Sequence, residues 1–203
     1  MPMPVPERIG VMGGAFDPPH LAHQTLAGLA CKQLQLDRLL IIPTGQAWHK
    51  PRALTAAQHR LAMCRLAFDP VTPVCVDERE LQRPGPSYTI DTLRELAASA
   101  PGCQLFLIIG ADQAMALTRW RAWQEIIQSA TICVADRASS VGANASFDAE
   151  TASATRFLRL VMPSLPISAT EIRAKLADKQ DISTLVSSAV ARYIADHHLY
   201  QTL

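Results

Sequence analysis

Residues 9–23 read Ile-Gly-Val-Met-Gly-Gly-Ala-Phe-Asp-Pro-Pro-His-Leu-Ala-His. Ile9 to Met12 is a short apolar run with no polar face, which predicts a strand buried on both sides. Gly13 and Gly14 follow; glycine lets the backbone turn tightly and lets a ligand approach where a Cβ would stand. Pro18 and Pro19 fix φ at the entry to a helix, where the missing N–H is not needed. His20 and His23 lie three apart, so they share one face of that helix's first turn. Strand, glycine turn and helix N-terminus together predict an anion site, because free backbone N–H groups and the positive end of the helix dipole converge there. Phosphate is the obvious anion. Two histidines so spaced also suit a metal pair or plain solvated side chains, but no third ligand stands near with zinc-type spacing.

Outward from this stretch, strands alternate with helices. Leu21–Leu34 reads as a helix with Ala22, Leu26, Leu29 and Ala30 on one stripe. Further strands are expected at Arg38–Pro43, Val74–Asp77, Gln104–Gly110, Thr131–Ala135 and Arg156–Val161. Thr55 and Gln58 read as a capping box opening a helix through Phe68. More helices are expected from Ser87–Thr89 to about Ser99, briefly from Ala111, over Trp120–Gln128, over Ser168–Ala177, and singly or as a pair over Ile182–His198. Residues 138–155, rich in Ala, Ser and Thr, read as a surface connection. The alternation predicts a doubly wound α/β fold: a parallel sheet, helices on both faces and a C-terminal helical segment. Such sheets bind ligands beyond the C-terminal ends of their strands, where strand order reverses.

Composition narrows the partners. There are 19 basic and 18 acidic residues, a net charge of +1, so no general field favours nucleic acid. Five scattered cysteines without a C-x-x-C pair predict reduced, buried thiols and a cytoplasmic protein. No signal-peptide core and no apolar run of membrane-spanning length is present, so no membrane partner is expected. Monomer and homo-oligomer both stay open. The length fits one domain over residues 1–203, with a core to about residue 165 and a helical part over about 166–203.

A second motif stands near the C-terminus: Ile167-Ser168-Ala169-Thr170-Glu171-Ile172-Arg173. Ser168 and Glu171 make a capping box, but Arg173 is left over. Thr170 and Arg173 project from one helix face, and hydroxyls, free amides and a guanidinium at a helix end make a polyphosphate clamp. The pair of motifs, G-x-F-D-P-x-H-x-x-H and I-S-x-T-x-x-R, resembles the two signatures of the nucleotidylyltransferase superfamily. Ala22 stands where the first signature usually has glycine. Within the superfamily the chain is most similar to the bacterial nicotinate-nucleotide adenylyltransferases. Asp77-Glu-Arg-Glu80, Pro86-Ser-Tyr-Thr89, Ile109-Gly-Ala-Asp112 and Trp120 also match that family.

The resemblance implies a Rossmann-like fold and a reaction: ATP plus nicotinate mononucleotide gives nicotinate adenine dinucleotide and pyrophosphate. Mg²⁺ would bridge phosphates, with no carboxylate cage and hence no metal-ligating residues. His20 and His23 would be catalytic, contacting the triphosphate. Gly13, Gly14, Ala15, Phe16, Gly110, Asp112, Arg137, Ser168, Thr170 and Arg173 would complete the ATP site. Thr44, His49, Lys50, Tyr88, Thr89, Trp120 and Arg121 would hold the mononucleotide. Plainer readings stand beside these. Asp112 also suits an N-cap, Trp120 and Trp123 also suit core packing, and Arg121, His49 and Lys50 also suit solvent. The rival functions are transfer to nicotinamide mononucleotide or phosphopantetheine, and a catalytically silent nucleotide-binding regulator.

Overall fold

A computed structural model of the chain describes residues 5–46, 53–69, 71–137 and 156–201. Its sheet has six parallel strands: β1 (Arg8–Gly14), β2 (Arg38–Pro43), β3 (Val74–Val76), β4 (Gln104–Gly110), β5 (Thr131–Arg137) and β6 (Phe157–Met162). Their spatial order is β3-β2-β1-β4-β5-β6. The chain winds outward from β1 to one edge, then returns beside β1 and winds to the other. The reversal lies between β1 and β4, where the connections leaving the strand ends diverge and open a crevice.

The apolar runs are explained by this sheet having two covered faces. Side chains alternate across a strand, so neighbouring residues enter different cores. Leu39 and Ile41 pack in one cluster and Leu40 and Ile42 in the other. Phe106 and Ile108 divide likewise from Leu105, Leu107 and Ile109. One face is covered by α1 (Leu21–Leu34), α2 (Ala57–Phe68), α7 (Ala169–Ala177) and α8 (Ser188–Asp196). The other is covered by α4 (Thr89–Ser99), α5 (Ala111–Met115) and α6 (Trp123–Ser129). Ile172, Ile182, Val186, Val190 and Ile194 share a cluster with Met12 of β1 and Leu26 of α1, so the C-terminal helices pack into the sheet's own core.

Several local expectations are corrected. The short helix α3 (Arg79–Gln82) was not legible as one; Asp77 Oδ1 accepts from the Arg79 amide at 3.0 Å and starts it. Thr55 and Gln58 form no capping box: α2 starts at Ala57 behind Ala56, without a side-chain cap. Trp120 precedes α6 in extended backbone, and the helix starts only at Trp123, after Ala122 at φ 52°. Residues 183–185 form a turn and only Ser188–Asp196 is helical. On α1 the buried stripe is Leu26, Ala27, Ala30 and Leu34, while Ala22 and Leu29 are half-buried. Among the cysteines, Cys64 and Cys133 are buried but Cys75 is exposed; none of the five is paired. The expected connection 138–155 lies outside the described residues.

The edge strand β6 carries an unusual cover. Gln33 of α1 donates its amide to the Val161 carbonyl at 2.8 Å and accepts from the Val161 N–H at 3.1 Å. At the other side, the loop after β2 is held close: a Cβ on Gly45 would stand 2.1 Å from the Glu80 carbonyl oxygen and 2.9 Å from Ser87 Oγ. Backbone cannot yield as a flexible side chain does. Gly45→Ala is therefore expected to lower stability by roughly 1–3 kcal/mol in urea unfolding, a cost typical of overpacking.

Candidate functional site

The first signature leaves β1 at the reversal point. Gly13 and Gly14 belong to the strand itself and keep negative φ, so the expected glycine turn lies elsewhere. Phe16 makes it, at φ 45°, with its ring buried. Gly13 is exposed, and the nearest atom to a Cβ there would be the Ile42 carbonyl oxygen at 4.0 Å, which leaves the backbone open to a ligand. His20 is the N-cap of α1, not its first-turn residue. Its ring stacks on that of His23 with centroids 3.7 Å apart, and His23 meets the Phe16 ring edge-on at 5.0 Å. The His20 amide donates to His23 Nδ1 at 3.3 Å. An amide can only donate, so Nδ1 accepts and the neutral ring carries its proton on Nε2. The expectation of free amides is cut back: besides the His20 amide, the Leu21 N–H donates to the Leu185 carbonyl at 2.9 Å and the His23 N–H to the His20 carbonyl at 2.9 Å.

Between Phe16 and His20 sits Asp17, 2% exposed. Tyr200 donates its hydroxyl to Asp17 Oδ1 at 2.7 Å, and the Thr55 amide donates to Oδ2 at 3.3 Å. Arg173 Nη1 donates to the Asp17 carbonyl at 2.8 Å, while Nη2 donates to Thr170 Oγ1 at 3.2 Å. The two signatures, 156 residues apart, thus touch directly. Ser168 caps α7 by accepting from the Glu171 amide at 3.1 Å. Arg60, also 2% exposed, donates to the Ala15 carbonyl at 3.0 Å and the Thr55 carbonyl at 2.9 Å. Burial pulls the Arg60 guanidinium below its ordinary value, and the charge of Asp17 works against that. Burial likewise pushes the Tyr200 hydroxyl up, reinforced by its bond to Asp17.

Across the reversal point lie the residues expected around the mononucleotide. Thr44 donates its amide to the Gly14 carbonyl at 2.8 Å, which ties the loop after β2 to the end of β1. Gly45 donates to Ser87 Oγ at 3.1 Å, and the Ser87 amide donates to the Gln46 carbonyl at 3.1 Å. Tyr88 is the N-cap of α4 and Thr89 its first residue. The Arg121 guanidinium lies over the Tyr88 ring, 4.6 Å from its centroid, a cation–π contact at an exposed position. Trp120 is half-buried against the core, so packing accounts for part of its surface. Gly110 is the N-cap of α5; Asp112, exposed in that helix's first turn, is not the cap it was also read as. His49 and Lys50 lie outside the described residues. Arg137 ends β5, and its side chain lies outside the described ones.

Sequence reasoning overlooked Asp17's role, Arg60 and Tyr200. Arg60 left a signal: it continues the buried stripe Met63, Cys64, Ala67, Phe68 of α2 at helical spacing, and a charge on such a stripe needs partners. Tyr200 left none, because its partner is 183 residues away. His59, given no role, pairs through Nδ1 with Tyr193 Oη at 3.0 Å. His197 is exposed and has its ring 4.2 Å from that of Tyr193.

The cytidylyltransferase-like family model matches residues 11–175. A protein of Albidiferax ferrireducens named "Probable nicotinate-nucleotide adenylyltransferase" is 59% identical over 196 residues, covering 97% of this chain and 99% of its own. A like-named protein of Methylibium petroleiphilum is 42% identical, covering 95% and 92%. Among solved structures, the Plasmodium falciparum nicotinic acid mononucleotide adenylyltransferase complexed with NaAD superimposes with a TM-score of 0.78, over 96% of this chain and 97% of that one. At 18% identity that likeness speaks for the fold alone.

Glu80 underlies the loop that carries Gly45 and Ser87, and it titrates with stability. It is 7% exposed, and burial pushes its carboxyl up despite the bond donated by Thr92 Oγ1 at 2.8 Å. A raised folded-state value means the folded chain binds more protons, so stability falls as pH rises above the ordinary value of 4.5. Glu80→Gln is expected to gain stability relative to the parent as pH rises between about pH 4 and pH 7, read from unfolding midpoints.

Proposed function

The chain belongs to the cytidylyltransferase-like family, among its nicotinate-nucleotide adenylyltransferases, and on that premise we propose that it joins ATP to nicotinate mononucleotide. The products are nicotinate adenine dinucleotide and pyrophosphate, a step in making NAD. The observation that carries this reading is the bond from Arg173 to the Asp17 carbonyl, which gathers both phosphate signatures at one strand end.

A phosphate oxygen of the mononucleotide attacks the α-phosphorus of ATP. A new P–O bond forms, and the bond to the oxygen bridging the α- and β-phosphorus breaks. Pyrophosphate leaves with that electron pair. No protein nucleophile takes part, so the protein acts by positioning and by stabilising charge. His23, with Nδ1 occupied by an amide, presents an Nε2 proton to phosphate oxygens, and His20 is stacked beside it. Exposed Gly13, with Gly14, Ala15 and Phe16, walls the nucleotides. Ser168, Thr170 and Arg173 hold the departing phosphates. Arg173 is suited to this because its guanidinium is already braced on two sides. Asp112 accepts from a ribose hydroxyl at the start of α5, and Gly110 lets the sugar approach; Arg137, at the end of β5, is assigned to the ATP site.

Thr44, Tyr88, Thr89 and Trp120 surround the mononucleotide, and His49 and Lys50 are assigned to its phosphate. Arg121, over Tyr88, adds a fixed positive charge that favours a nicotinate carboxylate over a carboxamide. Mg²⁺ carried by ATP would offset phosphate charge. Mg²⁺ in such a role commonly keeps phosphate oxygens and water as ligands, so it asks for no carboxylate cage of the protein. The reading treats residues 1–203 as one working unit. A cytoplasmic setting accords with five unpaired cysteines; among the described residues no helix is long and apolar enough to cross a membrane.

With ATP and Mg²⁺, pyrophosphate release is expected to be fastest with nicotinate mononucleotide; equal or faster release with phosphopantetheine rejects the reading. His23→Ala should cut turnover ~10²-fold or more with folding intact, the scale of a lost charge-stabilising donor. Arg121→Ala should narrow the preference for nicotinate over nicotinamide mononucleotide, measured as the ratio of the two kcat/KM values; an unchanged ratio removes Arg121 from recognition.

A further inference from the structure

The last helix does more than cover the core. Its end reverses the chain: the Leu199 amide donates to the Ile194 carbonyl at 3.0 Å, with His198 at φ 48° and Tyr200 at φ 64°. His198 is the left-handed residue that commonly closes a helix end through such a bond; at Tyr200, positive φ is unfavourable for a residue with a Cβ. The hydroxyl that this reversal delivers reaches Asp17 Oδ1 at 2.7 Å. Phe16, next to Asp17, is itself held at φ 45°, so both partners of the bond sit on constrained backbone. The turn preceding α8 grips the same place again, through the Leu185 carbonyl on the Leu21 amide.

We propose that Tyr200 is a positioning residue: through Asp17, its hydroxyl holds Arg173 and the His20–His23 pair in one frame. Asp17 is the common support, with Arg173 on its carbonyl and the stacked imidazoles starting three residues on. Without the hydroxyl, one buried carboxylate oxygen lacks its donor. The cation already bonded to the same residue is Arg173, and a carboxylate turned toward it takes it off the phosphates. The loss therefore falls on ATP more than on the mononucleotide. This inference rests on the nucleotide reading of the site.

The test is Tyr200→Phe in the full chain, which keeps the buried ring and removes only the hydroxyl. The expected result is a KM for ATP raised about tenfold, the scale of one hydrogen bond to a charged group, with kcat lowered. The KM for nicotinate mononucleotide should stay within about twofold and the Tm within a few degrees. An ATP KM like that of the parent, or activity lost only in step with folded protein, overturns the inference. A second measurement needs no variant. Binding is reciprocal, so a nonhydrolysable ATP analogue should slow amide hydrogen exchange over residues 197–201 of the unaltered protein, and unchanged exchange there also overturns it. If the analogue protects neither the residues of the two signatures nor residues 197–201, and the parent does not turn over ATP with nicotinate mononucleotide, the nucleotide reading is refuted and the Tyr200 inference falls with it; protection of the signatures alone overturns only the Tyr200 inference.

Discussion

One buried carboxylate organises the candidate site. Asp17 takes the Tyr200 hydroxyl and the Thr55 amide on its side chain, and the Arg173 guanidinium on its carbonyl. These partners come from the far C-terminus, the entry to α2 and the second signature. Magnitudes say why such a point matters. An ion pair at the surface is typically worth ~0–1 kcal/mol. A hydrogen bond to a buried charged group is typically worth about 1.5–3 kcal/mol, because the charge has no water to replace the lost donor. Arg60 is bound into the same neighbourhood by two backbone carbonyls, so the loop is fixed from below as well as from its ends.

Topology makes this convergence possible. The order β3-β2-β1-β4-β5-β6 puts the first strand at the centre and lets later segments return beside it. The helices that complete the chain pack on the same face as α1 and α2, so they arrive next to the end of β1. A fold of this kind suits a reaction between two substrates that supply their own nucleophile and leaving group. It need only hold phosphates in line and counter their charge, and rigid strand ends with helix starts do that well.

The strands were legible because parallel strands covered on both faces are short, unbroken apolar runs; Arg38–Pro43 and Gln104–Gly110 match residue for residue. The two signature motifs were legible as motifs because each lies within a few residues of sequence. What escaped is non-local. The Thr55–Gln58 pattern imitates a cap, but Thr55 gives its amide to Asp17 and its carbonyl to Arg60, so tertiary demand displaced the local motif. Glycine at positions 13 and 14 implied a turn that Phe16 makes, since the strand continues through both glycines. Tyr200 follows no periodicity and declares itself only through the partner it reaches.

Gln33 has a consequence beyond its own helix. A terminal strand normally leaves its peptide groups ready to recruit a neighbour, which is how sheets extend from one molecule into the next. On β6 the primary amide occupies both the carbonyl and the N–H of Val161, as the main chain of an incoming strand would. An intruding polypeptide must first strip that mimic away, losing two hydrogen bonds before gaining any. The sheet therefore ends in a stopper made from its own first helix, and recruitment there is disfavoured even though Leu158 and Val161 leave the margin greasy.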